Sequence, residues 1–197
     1  GNLEIGEAIP GRLLAGFVFA ASIVIALALA ATPVDWTTLA LARIGVPFNE
    51  IDPYLDNDFG YYVYRLPFER AAYLWVLSAT LLVSVVVVTL YAITPSLRWT
   101  RGKLYVSTYV RRHIAVLAAL LVALTAWSYR IDTLSVVAHG SGGAGAFTAF
   151  DHRVTLPLLT SLSIGALVAA AMVLWAAWYG HHRVTLGIIS ALLLGGP

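Results

Sequence analysis

The sequence predicts an all-α fold of the polytopic membrane class, with four transmembrane helices and a fifth. Three observations carry this. Only 11% of the 197 residues are charged and 60% are hydrophobic, whereas a soluble domain has roughly a quarter of its residues charged. Mean hydropathy is +0.83, and apolar runs approach the ~20 residues that cross a ~30 Å hydrocarbon layer. The few charges fall almost wholly between those runs. A large soluble catalytic domain is excluded. The chain is expected to form a single transmembrane helical domain over 1–197, with helices at about 11–31, 67–94, 113–129, 157–179 and 184–197.

Each element has a local reason. The first run ends at Thr32-Pro33, and Gly16 and Ala20 would let another backbone come close. In the following connection, Asp35 should cap a short surface helix that Gly45 and Pro47 stop. The second run opens on Pro67 and ends before Pro95, and Pro is tolerated in a first helical turn. Its Val83–Val88 stretch suits lipid, where the backbone must bond internally. The third and fourth runs end in Trp127 and Tyr129, and in Trp175, Trp178 and Tyr179. With Trp36 and Trp99, these aromatics read as interface anchors. The fifth begins near Val184 and is short for a span. With no initiator Met and a shortened last run, the sequence reads as part of a longer polypeptide.

Charge sets the expected orientation. Residues 95–112 hold Arg98, Arg101, Lys103, Arg111 and Arg112 and no acid, so this connection is expected to be cytoplasmic and to touch anionic lipid. The 32–66 connection is acidic, 130–156 is balanced, and His181-His182-Arg183 would return to the cytoplasm. The chain would therefore start inside and end outside the bacterial cytoplasmic (inner) membrane. The pI near 9.0 reflects this placement, and no nucleic-acid partner is expected. The absence of cysteine removes disulfides and thiolate metal sites.

Candidate chemistry is sparse. The stretches 13–31, 71–94, 114–128 and 158–179 contain no Asp, Glu, Lys, Arg or His, unlike the interiors of coupled transporters. Hydroxyls at Ser22, Ser78, Thr80, Ser84, Thr125, Ser161 and Ser163 are read as packing groups. Asp52, Asp56 and Asp58 superficially resemble a calcium loop but lack its terminal bidentate Glu, so turn-holding is the expectation. Phe59–Tyr64, if extended, would form an aromatic wedge. The glycine-rich stretch after His139 lacks the Lys-Ser/Thr of a phosphate-cradling loop. His139, Asp151 and His152 lack metal-site spacing. A lone interfacial His113 rarely ligates a tetrapyrrole, so no cofactor is expected beyond lipid. No catalytic and no metal-binding residues are assigned.

The stretch from Asp52-Pro53 through Asp58, Gly60, Tyr62, Val63 and Arg65-Leu66-Pro67-Phe68 resembles the motif of a large bacterial membrane family, uncharacterised protein family 0182. Arg112-His113, Ala126-Trp127 and Asp151 through Leu156-Pro157 are similar to that family as well, whereas the glycine loop departs from its pattern. The resemblance implies the later part of a membrane region of about seven helices, followed in long members by a large extracytoplasmic domain. It implies no activity. Asp52, Pro53, Asp58, Gly60, Arg65, Pro67 and Asp151 are the motif residues, with structural roles expected.

The leading expectation is thus a non-enzymatic membrane module that anchors or assembles with other protein, either its own missing domain or subunits of an inner-membrane complex. Small-residue stripes at Ala115, Ala119 and Ala123, and at Ser161, Gly165 and Ala169, motivate it. The alternatives are a transporter or lipid-handling protein using further helices, and an extracytoplasmic metal-dependent enzyme using Asp52, Asp56, Asp58, His139 or Asp151.

Overall fold

A computed structural model describes residues 11–31, 35–93, 97–100, 103–141 and 146–179. The elements in order are α1 (Gly11–Ala30), α2 (Trp36–Ile44), α3 (Leu66–Ile93), β1 (Leu97–Thr100), β2 (Lys103–Val106), α4 (Thr108–His139) and α5 (Leu156–Tyr179). Five-residue π turns, Tyr61–Arg65 and Asp151–Thr155, lead directly into α3 and α5. With these turns counted, three helices among the described residues are long and apolar enough to cross a membrane: Tyr61–Ala92, Thr108–His139 and Asp151–Tyr179. A shorter apolar stretch, Val18–Ala30, lies in α1. The predicted fifth helix and the His181-His182-Arg183 return lie outside the described residues.

Helix α4 is the centre of the packing, with α5 along one side and α3 along another; α1 rests on α3. Ala115 and Ala119 of α4 meet Ala170, Val173 and Ala177 of α5, with Ala118, Val122 and Ala123 around them. Side chains this small let the two backbones approach, and dispersion contacts hold helices together where no hydrophobic drive exists. Ser163 Oγ adds a cross-helix hydrogen bond to the Ala126 carbonyl (3.0 Å). A second cluster joins Tyr62 and Leu66 to Ile131 and Leu134 of α4. Outward faces are apolar throughout: Phe19, Leu27, Ile164 and Leu167 are each 54–69% exposed, a surface suited to lipid and costly in water.

Three expectations require correction. The third helix does not stop at Tyr129; it runs from Thr108 to His139. Arg130 does not end it, because its charge is paired across to α3, and Thr133 and Ser135 bond back to the carbonyls of Tyr129 and Ile131. At ~1.5 Å per residue such a helix is ~48 Å long, more than a ~30 Å hydrocarbon layer requires. The basic connection is not merely a loop: β1 and β2 form an antiparallel hairpin with Leu97 opposite Val106 and Thr100 opposite Lys103. Phe59–Tyr64 is helical rather than extended. The α5 stripe Ser161, Gly165 and Ala169 is not the face that meets α4: Ser161 and Gly165 are exposed, and Ala166, Ala170, Val173 and Ala177 are the buried residues of that helix.

The predicted surface helix is present as α2. Asp35 Oδ1 accepts from the Thr37 N–H (3.1 Å), and the Gly45 N–H closes the other end on Leu41 O (2.8 Å). Gly45 has φ −57° rather than a left-handed cap conformation. Its necessity comes from packing, since a Cβ there would sit 2.5 Å from the Tyr64 ring.

Candidate functional site at the acidic end of the helices

The polar side chains that sequence reasoning singled out gather largely at one end of the helices, where α2, the 45–60 loop, the two π turns and the last turns of α4 meet. Asp52 is 1% exposed. Its carboxylate accepts from the N–H groups of Tyr54 and Leu55 (2.9 Å each) and from Tyr62 Oη (2.9 Å). Pro53 opens the turn this carboxylate closes, the arrangement in which an Asp side chain mimics a backbone turn. Asp58 accepts from the N–H groups of Phe48 (3.0 Å), Asn49 (2.8 Å) and Gly60 (2.7 Å). The Phe48 N–H does most to hold the Asp58 carboxyl below its ordinary value, with Gly60 and Asn49 adding to it against the opposing effect of desolvation. An antiparallel bridge between Ile51 and Asp58 completes the loop. Gly60 must lack a side chain, since a Cβ would lie 2.7 Å from Asp58 Oδ1.

Asp151 does the same work for α5. It is fully buried and accepts from the Thr148 N–H and Thr148 Oγ1 (2.8 Å each), from Thr155 Oγ1 (3.3 Å) and from Ser141 Oγ. The Asp151 N–H returns a bond to Thr148 Oγ1 (3.3 Å), making Thr148-Ala-Phe-Asp151 a reciprocal capping box. That Thr-x-x-Asp pattern is visible in the sequence. Both π turns follow a capping residue by the same spacing and end in Leu-Pro, at Leu66-Pro67 and Leu156-Pro157. Pro has no N–H and its ring crowds the carbonyl four residues back. The widened turn, with the Leu66 N–H reaching Tyr61 O and the Leu156 N–H reaching Asp151 O, relieves that conflict.

One charged group at this end escaped the sequence reading. Glu69, four residues into α3 and beyond the acidic loop, is the hub of an α3–α4 network. Its Oε2 accepts from Tyr61 Oη (2.6 Å), its Oε1 from Trp127 Nε1 (3.0 Å), and Arg130 forms an ion pair with it. Arg130 also reaches Tyr61 Oη (3.3 Å), and the neighbouring Arg70 bonds Ser135 Oγ (2.9 Å). Trp127 is accordingly turned inward against Tyr73 (5.7 Å between centroids) rather than serving as a lipid-facing anchor. The signal available was a Glu-Arg pair directly after Leu-Pro-Phe, where charge in an apolar run calls for a partner.

The loops themselves are joined. Tyr54 stacks on Phe147 (4.4 Å) and His152 (5.2 Å), so the Asp52 and Asp151 turns share one aromatic contact. His139 lies apart, its Nδ1 3.3 Å from Ser135 O. Among the described residues no three His, Asp or Glu side chains converge as a metal site. The hydroxyls of Ser22, Thr80, Ser84, Thr125 and Ser161 bond carbonyls of their own helices. A groove of about 320 Å³ runs between α4 and α5 beside Arg130, Thr133, Thr160 and Ser163.

At the opposite end Arg111 and Arg112 occupy the first turns of α4. Arg112 lies 5.3 Å from the Trp178 ring centroid, a cation–π contact. Arg111 Nε is buried without a hydrogen-bond partner among the described residues. His113 Nδ1 is 2.7 Å from Tyr91 Oη. Arg98 and Lys103 sit in the hairpin, and Arg101 lies outside the described residues.

The chain matches the Uncharacterised protein family (UPF0182) over residues 4–196. It is similar to a UPF0182 protein of Geobacter sp. (strain M21), 30% identical across 100% of this chain and 22% of that protein. It is also similar to one of Desulforamulus reducens, 29% identical over 94% of the chain and 20% of the relative. A third, from Synechococcus sp. (strain JA-2-3B'a(2-13)), is 29% identical over 72% and 16%. The chain thus spans about a fifth of the length of the curated relatives it matches. No solved structure matches it.

Proposed function

The chain belongs to the Uncharacterised protein family (UPF0182), and from that premise we propose that it is a non-enzymatic integral membrane module that seats further protein. In this reading α1, α3, α4 and α5 cross the bacterial cytoplasmic membrane, the basic hairpin faces the cytoplasm among anionic headgroups, and the acidic end faces outward. Orientation rests on the charge asymmetry between the two ends. The acidic end would serve as a rigid platform: the carboxylates of Asp52, Asp58 and Asp151 are spent on backbone N–H and hydroxyl groups, and that of Glu69 on an interhelical ion pair. The further protein would be the rest of a longer chain or a separate subunit.

The observation that carries the reading is the unused small face of α5. A Cβ on Gly165 would meet nothing within 4 Å, and Ser161 is exposed beside it. The equivalent alanines of α4 are consumed by α5. A glycine costs a helix ~1 kcal/mol relative to alanine, so its presence on an open face is explained by a helix that packs there. The test uses single cysteines at Ser161, Gly165 and Val173 in the full-length protein, in otherwise cysteine-free membranes. Photocrosslinking from a benzophenone attached to each thiol, to a further helix of the full chain or of a partner, is expected at 161 and 165 and not at 173. Equal reactivity with lipid-soluble reagents at 161 and 165, and no adduct, would sink the idea.

A further inference from the structure

A cavity of about 350 Å³ opens where α2, the 45–60 loop and the start of α3 meet. Gly45, Pro47, Tyr61 and Tyr64 form its apolar and aromatic walls, and Asp56 and Arg65 stand on its rim. Both charges are exposed. Neither the Asp56 carboxylate nor the Arg65 guanidinium has a hydrogen-bond or ion-pair partner among the described residues, and the two do not pair with each other. Asp58 also borders the cavity, but its oxygens already accept three backbone N–H groups. The site therefore offers one spare anion and one spare cation across a single opening.

The charge pattern selects the occupant. A simple anion would meet Arg65 but be repelled by Asp56 and Asp58; a simple cation would meet the reverse. A zwitterion carrying an ammonium and a phosphate a few atoms apart satisfies both, and a guanidinium is the side chain best shaped for phosphate. The volume lies at the small end of ligand pockets, which begin near ~300 Å³. Tyr61 also begins one of the three span-length helices, so if α3 crosses a membrane the opening lies at headgroup depth beside aromatic side chains.

We propose that this cavity binds a phosphoethanolamine group, with the phosphate on Arg65 and the ammonium on Asp56. The chemistry is shared by phosphatidylethanolamine and by soluble phosphoethanolamine. The lipid source rests on the membrane-spanning reading, and the soluble source does not. The test takes full-length protein in lipid-free detergent. One arm measures retention of phosphatidylethanolamine, phosphatidylcholine and phosphatidylglycerol by native mass spectrometry. The other measures calorimetric binding of O-phosphoethanolamine.

Binding in either arm is expected to fall about tenfold in both Arg65→Gln and Asp56→Asn, the loss of one charge-assisted hydrogen-bonding partner. Phosphatidylethanolamine should exceed the other two lipids. The ligand-free unfolding midpoint should stay unchanged: Arg65 holds nothing, and Asn accepts the left-handed φ of 56° that Asp56 adopts. Binding in the soluble arm alone, with the same variant dependence, supports the site and removes the lipid as its source. Variant-insensitive binding, equal retention of phosphatidylcholine or phosphatidylglycerol, or no binding in either arm would overturn the proposal.

Discussion

The starts of α3 and α5 use one backbone device in two chemical settings. Each has a capping residue, a π turn, Leu-Pro and a buried aspartate. Around α5 the aspartate meets only hydroxyls and backbone N–H groups, those of Thr148, Thr155 and Ser141. Around α3 the same device is surrounded by Glu69 and Arg70, which reach across to Arg130 and Ser135 of α4, and by Asp56 and Arg65, whose charged groups have no partner among the described residues. The difference separates holding a helix from offering a surface. A start secured by hydroxyls is finished, whereas one with spare charge has bonding capacity left for something else.

The largest effect should come from the shared part of the device. Asp52→Ala would orphan two N–H groups and the Tyr62 hydroxyl, destabilising the protein by ~3 kcal/mol. Asp151→Ala should lower the unfolding midpoint in the same direction. Thermal unfolding in one detergent checks both, and a silent Asp151→Ala would break the equivalence of the two starts.

Glu69→Ala tests the unshared part. It should cost ~2 kcal/mol by leaving Arg130 and the Trp127 indole N–H without their acceptor. It should also shift Trp127 emission, with Glu69→Gln milder because its carbonyl still accepts from the indole. A smaller effect belongs to the prolines. Pro67→Ala and Pro157→Ala should each change stability by no more than ~1 kcal/mol while restoring regular i to i−4 bonding, read as protection from exchange of the new amide at the substituted residue. Persistence of both π turns without proline would mean the aspartate-held loops impose them.

The smallest effect is a local response to acid. Asp58 is held below its ordinary carboxyl value, so its contribution is complete above the unfolded value near ~4 and is lost as pH falls through the lower folded value. Amide exchange at Phe48, Asn49 and Gly60 should therefore quicken below about pH 4 and lose that dependence in Asp58→Asn.

Much of this arrangement was legible in the residues themselves. The limits of α1, α3 and α5, the Asp35-capped α2 and the turn around Asp52 and Asp58 all follow from local rules: apolar runs, caps and Asp-Pro. What escaped depended on distant partners. Arg130 reads as the end of a helix until Glu69, on another helix, is seen beside it; neither residue carries that information alone. Which side of α5 meets α4 was not legible because α5 is apolar around its whole circumference, and only contact with α4 distinguishes one small-residue stripe from another. The π turns arise from a conflict between a proline and a cap that simple periodicity does not register.

The stacking of Tyr54 on Phe147 and His152 has a mechanical consequence. It couples the loop before α3 to the turn before α5 across the top of α4, so the two loops behave as links of one lever. A shift of α5 relative to α3 would therefore have to carry or break this aromatic contact, whose Tyr54 stands two residues before Asp56 on the cavity rim.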